Sequence, residues 1–264
     1  MSLLKAEGLS IQFGGLKAVD QVSIEVAEGQ LFGLIGPNGA GKTTFFNLLT
    51  GVYKPTSGKL LFNGSDITNV PTVSRSHLGI RRTFQNIRLF KGLTVLENAL
   101  IAYDQNITYT MVDSFLKSEA FHSEEKVARE KALTLLSLFK LDKNINDKAS
   151  DLPYGNQRRL EIIRTLMSNP KLILLDEPAA GMNNSETAEL TNLIRKVRDD
   201  FNLTVLLIEH DMKLVMGLCE QIAVLDHGTK IAQGRPDEVS KNAKVIEAYL
   251  GPDLEDDLKP GAAT

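Results

Sequence analysis

Residues 36–44 read Gly-Pro-Asn-Gly-Ala-Gly-Lys-Thr-Thr, set between a strand-like apolar run and a helix-like run that closes at Gly51. Glycines at 36, 39 and 41 let backbone N–H groups curl round a phosphate with no Cβ in the way. Lys42 brings a fixed positive charge within reach of β- and γ-phosphates, and the Thr43 hydroxyl is of the type that ligates Mg²⁺. A glycine turn with an incidental lysine would not need a strand before it and a helix after it. A second stretch, "LILLDEP" at 172–178, runs four apolar residues into Asp176 and Glu177. The C-terminal end of a buried strand is where open α/β sheets bind ligands. There Asp176 is placed to hold Mg²⁺ and Glu177 to act as base or water-orienter for an attacking water. No Asn-Lys-x-Asp guanine-reading motif occurs, which favours ATP over GTP.

A third stretch, "DLPYGNQRRLEIIRTLM" at 151–167, is a Pro-Tyr-Gly turn feeding a helix with Leu160, Ile163, Leu166 and Met167 at helical spacing. Its unpaired N-terminal amides and the helix dipole favour an anion.

The elements that must position these groups alternate between strand and helix patterns, an α/β texture. Residues 3–13, 22–27, 31–35 and 59–63 read as strands, the last ending in the Asn63-Gly64 turn signal. Thr94 and Glu97 form a capping box ahead of an apolar run, and 123–139 reads as a charged amphipathic helix. A helical lobe over about 87–168 is expected within a single domain of 1–250, followed by a polar tail at 251–264. Met212 and Met216 are expected in the core of the helix after His210, and Cys219 reads as a small buried residue.

Charge is nearly balanced, 30 Lys+Arg against 33 Asp+Glu, with a pI near 5.9, so the basic footprint of a nucleic-acid binder is missing. One cysteine fits a reducing compartment, the N-terminal run is not that of a signal peptide, and apolar runs such as "VLLI" at 205–208 are strand-length.

In this linear order the motifs resemble those of the ATP-binding subunits of ATP-binding-cassette (ABC) transporters, over about residues 3–250. The resemblance implies a P-loop NTPase core with an antiparallel β subdomain and an inserted α-helical subdomain, using ATP and Mg²⁺. It implies a Q-loop glutamine at Gln85, which serves both metal and catalysis, and a switch histidine at His210. Phe13 falls where an adenine-stacking aromatic is usual. The resemblance implies nucleotide contacts over Gly36, Asn38, Gly39, Gly41, Lys42, Thr43 and Thr44 on one side, and over Leu152, Gly155 and Asn156 of a signature segment on the other. In that family two cassettes pair head to tail, so the resemblance implies that the anion at the 151–167 helix is the γ-phosphate of ATP on a partner subunit.

Four positions depart from the family pattern: Pro153 replaces the signature serine, Tyr154 its first glycine and Asn156 its glutamine, and Asn183 stands where an aspartate is usual. The segments "DEPAAGMN", "IEHDMKLVMGL" and "VIEAYLG" look most like the subunit serving bacterial branched-chain amino-acid uptake. Implied partners are a second cassette, transmembrane permeases and, indirectly, a solute-binding protein, at the cytoplasmic face of the cell membrane. The permease is expected around "QNIRLFKGLTVLEN" (85–98), with Leu89 and Phe90 as apolar contact and Arg88 and Lys91 as rim. Alternatives are a lipid or lipopolysaccharide exporter cassette and a soluble ABC ATPase of iron–sulfur assembly.

Overall fold

The computed structural model describes residues 1–83, 85–103, 108 and 110–250; the tail at 251–264 lies outside the described residues. The chain opens with a hairpin of β1 (Ser2–Phe13) and β2 (Leu16–Ala27), which pair antiparallel from Ser2↔Ala27 to Phe13↔Leu16 across Gly14-Gly15. β2 therefore starts six residues before the expected 22. Leu16 and Lys17 are exposed, so no apolar alternation marks that half of the strand.

β3 (Leu31–Ile35) leads into α1 (Lys42–Thr50), which ends on Gly51 in the left-handed conformation at φ 76°. β4 (Ser57–Phe62) and β5 (Ser65–Asp66) turn through Asn63 and Gly64, both at positive φ as a two-residue hairpin requires. These four strands form an antiparallel sheet in the order β2-β1-β4-β5.

α2 (Thr72–His77) and the short β6 (Ile80–Arg82) follow. The helical layer then comprises α3 (Val95–Ile101), α4 (Met111–Leu116), α5 (Glu119–Leu138) and α6 (Tyr154–Met167). Thr94 and Glu97 cap α3 reciprocally, as the sequence predicts. α5 begins four residues before the expected 123, because the Ser118 hydroxyl accepts the Phe121 N–H and starts the helix there.

The chain then lays down β7 (Leu172–Asp176), α7 (Asn184–Phe201), β8 (Thr204–Ile208), α8 (Met212–Leu218), β9 (Gln221–Asp226), β10 (Thr229–Gly234), α9 (Pro236–Val239) and α10 (Ala243–Leu250). A second sheet runs β10-β9-β3-β8-β7-β6, parallel except for β10.

Every residue of β3, β7 and β8 is buried, as expected of parallel strands covered on both faces. Alternation divides them. Ile173, Leu175, Val205 and Leu207 join a core shared with α3, α5, α6 and α7, whereas Leu172, Leu174, Leu206 and Ile208 face α1 and the antiparallel sheet. Met212 packs against the first core and Cys219 is buried, but Met216 is 37% exposed, against expectation. The seven-residue helix α8 buries Leu214, Val215 and Leu218, and that narrow face leaves Met216 outside.

Candidate functional site

The phosphate loop leaves β3 at Gly36, whose φ of +149° sets its backbone so close to β9 that an added Cβ would lie 2.1 Å from the Leu225 carbonyl oxygen. At Gly41 (φ +95°) the same atom would lie 2.4 Å from the Ala18 oxygen. Only glycine fits either position. Gly41 caps α1, so the loop ends on the amides of a helix N-terminus. The Lys42 ammonium is largely buried and donates to the carbonyls of Gly36 (2.7 Å) and Pro37 (2.8 Å). Burial lowers its pKa, and the charges of Glu177 and Asp176 act in the opposite sense.

Asn38, Gly39, Gly41, Lys42, Thr43 and Thr44 line a cleft of about 420 Å³ that Glu177 also borders. Leu16, Lys17, Ala18 and His227 border it too, and the sequence reading missed them. They arrive on the unexpected half of β2 and on the β9–β10 turn, neither of which carries a local signal. Phe13 stands at the hairpin tip, paired with Leu16, 45% exposed and edge-on to Tyr53 at 5.2 Å. It is therefore exposed rather than core, and it is not among the residues that line the cleft.

The carboxylate strand end converges on the same place. Glu177 adopts φ 46°, its N–H donating to the Ile208 carbonyl of β8. Gln85 Nε2 donates to Glu177 Oε2 at 3.0 Å, and His210 Nδ1 lies 3.8 Å from Glu177 Oε1. Gln85, Glu177 and His210 thus meet although they are far apart in sequence.

Glu209, which the sequence reading passed over, is fully buried; desolvation raises its pKa while three backbone amides lower it. Its carboxylate accepts from the N–H groups of Ala179, His210 and Asp211, tying the loop after Glu177 to the histidine. Asp176 is buried and paired with Arg82 at 2.5 Å.

Among the described residues no cluster of three or more His, Cys, Asp or Glu could hold a metal alone. Thr43, Asp176 and Gln85 offer few, hard oxygen donors, which suits Mg²⁺ completed by phosphate oxygens and water.

The anion-favouring helix end stands apart from this cleft, since Leu152, Gly155 and Asn156 do not line it. Pro153 is the N-cap of α6 and contributes no side-chain bond. Its carbonyl accepts the Asn156 and Gln157 amides, leaving those of Tyr154 and Gly155 as first-turn donors without an intrahelical partner. Asn183 caps α7, accepting from Ser185 and Glu186, and Glu186 answers to the Asn183 amide. The fully buried Arg158 of α6 pairs with Glu161 and donates to the Gln85 carbonyl at 2.7 Å. The anion-favouring helix is thereby joined to the glutamine loop.

In that loop Leu89 packs on the core, while Phe90 is 48% exposed beneath the Arg164 guanidinium at 5.0 Å. The buried Asn98 amide holds the turn, accepting the Phe90 N–H and donating to the carbonyls of Phe90 and Thr94.

Comparison with known proteins places this geometry. Residues 19–180 match the ABC transporter family model, and residues 229–251 match the branched-chain amino acid ATP-binding cassette transporter model. The chain is 47% identical to the high-affinity branched-chain amino acid transport ATP-binding protein LivG of Salmonella typhimurium over 94% of its own length and 98% of that relative. It is 46% identical, with the same coverage, to BraF of Pseudomonas aeruginosa, which carries the same description. A solved nucleotide-free ATP-binding cassette from an ABC transporter superposes with a TM-score of 0.81 at 35% identity, covering 95% of this chain and 100% of that one. An ADP conformation of an ABC transporter cassette superposes with a TM-score of 0.82, also at 35% identity, over 95% and 99% of the two chains.

Proposed function

We propose, from the premise that this chain belongs to the ATP-binding subunits of ABC transporters, that it powers the uptake of branched-chain amino acids through separate permease subunits. Membership makes it a nucleotide-binding ATPase of a membrane transporter. The solute follows from LivG and BraF, whose likeness spans nearly the whole chain, and from the segment 229–251. The same likeness favours this reading over an exporter cassette or a soluble ABC ATPase. Among the described residues no helix is long and apolar enough to cross a membrane, which fits a peripheral subunit on the cytoplasmic face. A permease would dock at the half-exposed Phe90, and a solute-binding protein would act through that permease. We take 1–250 as one ABC domain with its helical subdomain at about 87–168.

The observation that carries the chemistry is the placement of Glu177 between Gln85 and His210 at the mouth of the phosphate cleft. Lys42 and the amides of Gly39, Gly41, Thr43 and Thr44 hold the β- and γ-phosphates of ATP, and Asn38 borders them. Phe13 stacks on the adenine from the hairpin tip. Thr43, Asp176 and Gln85 would hold Mg²⁺, which supplies charge neutralisation on the phosphate oxygens. Glu177 takes the proton of the attacking water or orients it, while Gln85 and His210 fix the carboxylate's direction.

Leu152, Gly155 and Asn156 complete the site of a second cassette, because within one chain they lie away from the cleft. Glu177→Gln should retain ATP binding and slow hydrolysis by roughly 10²–10⁴-fold, the scale of a lost general base. Single-turnover hydrolysis at the wild-type rate in that variant would remove Glu177 from the role.

A further inference from the structure

The geometry points to Arg82 as a positioning residue that clamps the two protein-borne halves of the Mg²⁺ site in register, an inference that rests on Thr43 and Asp176 being its ligands. Arg82 ends the edge strand β6, opposite Leu174 of β7. The next residue fastens the strand end: the Thr83 N–H donates to Leu174 and its hydroxyl accepts the Asp176 N–H. Successive strand side chains leave on opposite faces. Arg81 bonds Ser168 beyond the end of α6, while Arg82 crosses toward α1.

There one nitrogen of the Arg82 guanidinium donates to Asn47 Oδ1 at 2.6 Å and another to Asp176 Oδ2 at 2.5 Å, with the group over the Phe46 ring at 5.5 Å. The side chains of Arg82 and Asp176 are 8% and 6% exposed.

Asn47 lies one helical turn after Thr43, so the two share a face of α1. A single rigid fork therefore ties the helix that carries the Thr43 hydroxyl to the strand end that carries the Asp176 carboxylate. It also commits Oδ2 of that carboxylate. Lysine would keep the charge beside Asp176 but, as a point charge on a flexible stem, would not span both acceptors in fixed geometry. The phosphate loop itself makes no use of this bridge. Lys42 bonds Gly36 and Pro37, and the glycine backbone packs on Leu225 and Ala18. Nucleotide affinity without metal should then be independent of Arg82.

The test compares the affinity of a non-hydrolysable ATP analogue, by isothermal titration calorimetry, in EDTA and in saturating Mg²⁺. Arg82→Lys and Asn47→Ala should each keep the EDTA affinity within about two-fold of wild type. Each should lose about 10-fold or more of the tightening that Mg²⁺ confers, the range seen when the residues that orient metal ligands are removed. The double variant should be no worse than the more affected single one, because both cut the same bridge.

Asp176→Asn is the control. If it loses the tightening while Arg82→Lys or Asn47→Ala keeps it in full, the clamp is refuted and the metal site stands. If Asp176→Asn also keeps it, the assignment of the ligand fails and the clamp with it. Should Arg82→Lys fail to fold, Asn47→Ala alone decides, since it leaves the buried ion pair intact.

Discussion

Gly155→Asp separates a nucleotide contact from a packing role more cleanly than other changes in the signature segment. Gly155 is the second residue of α6, and its φ is not in the left-handed region. An added Cβ would meet Glu186 Oε1 at 3.5 Å and Met182 Cε at 4.0 Å, ordinary contacts with flexible groups. A side chain in the first turn gains helix propensity over glycine, and a carboxylate there gains ~0.3–1 kcal/mol from the dipole. Repulsion from Glu186 offsets part of this, so the isolated subunit should unfold within about 1 kcal/mol of wild type.

Across a paired cassette the effect is of another size. A carboxylate about 4 Å from a phosphate charge, at an effective dielectric near 20, repels it by about 4 kcal/mol per unit charge, or roughly 10³-fold in pairing. In a Glu177→Gln background with Mg-ATP, and with any natural partner cassette included, sizing with light scattering should find a dimer. Adding Gly155→Ala should leave it largely dimeric, and adding Gly155→Asp should leave it monomeric. Equal dimerisation of the Ala and Asp variants would mean that the segment does not face nucleotide.

Lys42→Ala removes the ammonium that the loop holds against Gly36 and Pro37; nucleotide binding should fall by more than about 10-fold, and unchanged affinity by calorimetry would refute the phosphate-loop assignment. Arg75→Met strips a fully buried guanidinium that bonds the carbonyls of Leu48, Leu49, Thr68 and Val70 and so closes the C-terminal end of α1. With ~1–3 kcal/mol per buried acceptor left unmade and partial relaxation, urea unfolding should report a loss of about 3–5 kcal/mol; less than about 1 kcal/mol would mean that those carbonyls find water. Phe90→Asp should fold, because the ring is half-exposed and Arg164 lies beside it. Its basal ATPase should stay within a few-fold while co-purification with the permease drops by at least about 10-fold; normal assembly would place docking elsewhere.

The phosphate loop and the Asp176-Glu177 strand end were legible because their determinants are local: a glycine pattern, a lysine, and an apolar run that fits a covered parallel strand. The capping box at Thr94 and the turn at Asn63-Gly64 were legible for the same reason. Arg82 was not, since in "RRTFQN" it is one of two arginines, and only the pairing of β6 with β7 brings it to Asp176. Glu209 was overshadowed by its neighbour His210: a glutamate at the end of a buried strand carries no sign that its carboxylate will gather three backbone amides. The exposure of Met216 likewise depends on how many turns α8 makes before β9, a matter of tertiary packing rather than of its spacing from Met212.

The signature segment and the Asn183 loop pack against each other. Gly181, at φ +78°, lies beneath the Tyr154 ring, where an added Cβ would approach Cε1 to 3.1 Å. Tyr154 thus covers a backbone that only glycine leaves open. Two residues on, Asn183 spends its side chain on the first amides of α7, and Glu186 of the resulting capping box borders Gly155. The signature segment and the loop after Glu177 therefore touch within one subunit, through Tyr154 on Gly181 and Glu186 beside Gly155. Restoring serine at Pro153 alone would supply a hydroxyl cap to α6 and leave this contact unchanged. Restoring glycine at Tyr154 would uncover Gly181 and loosen the loop that follows Glu177. Tyr154 and the capped start of α7 are better understood as parts of one packed contact than as separate features.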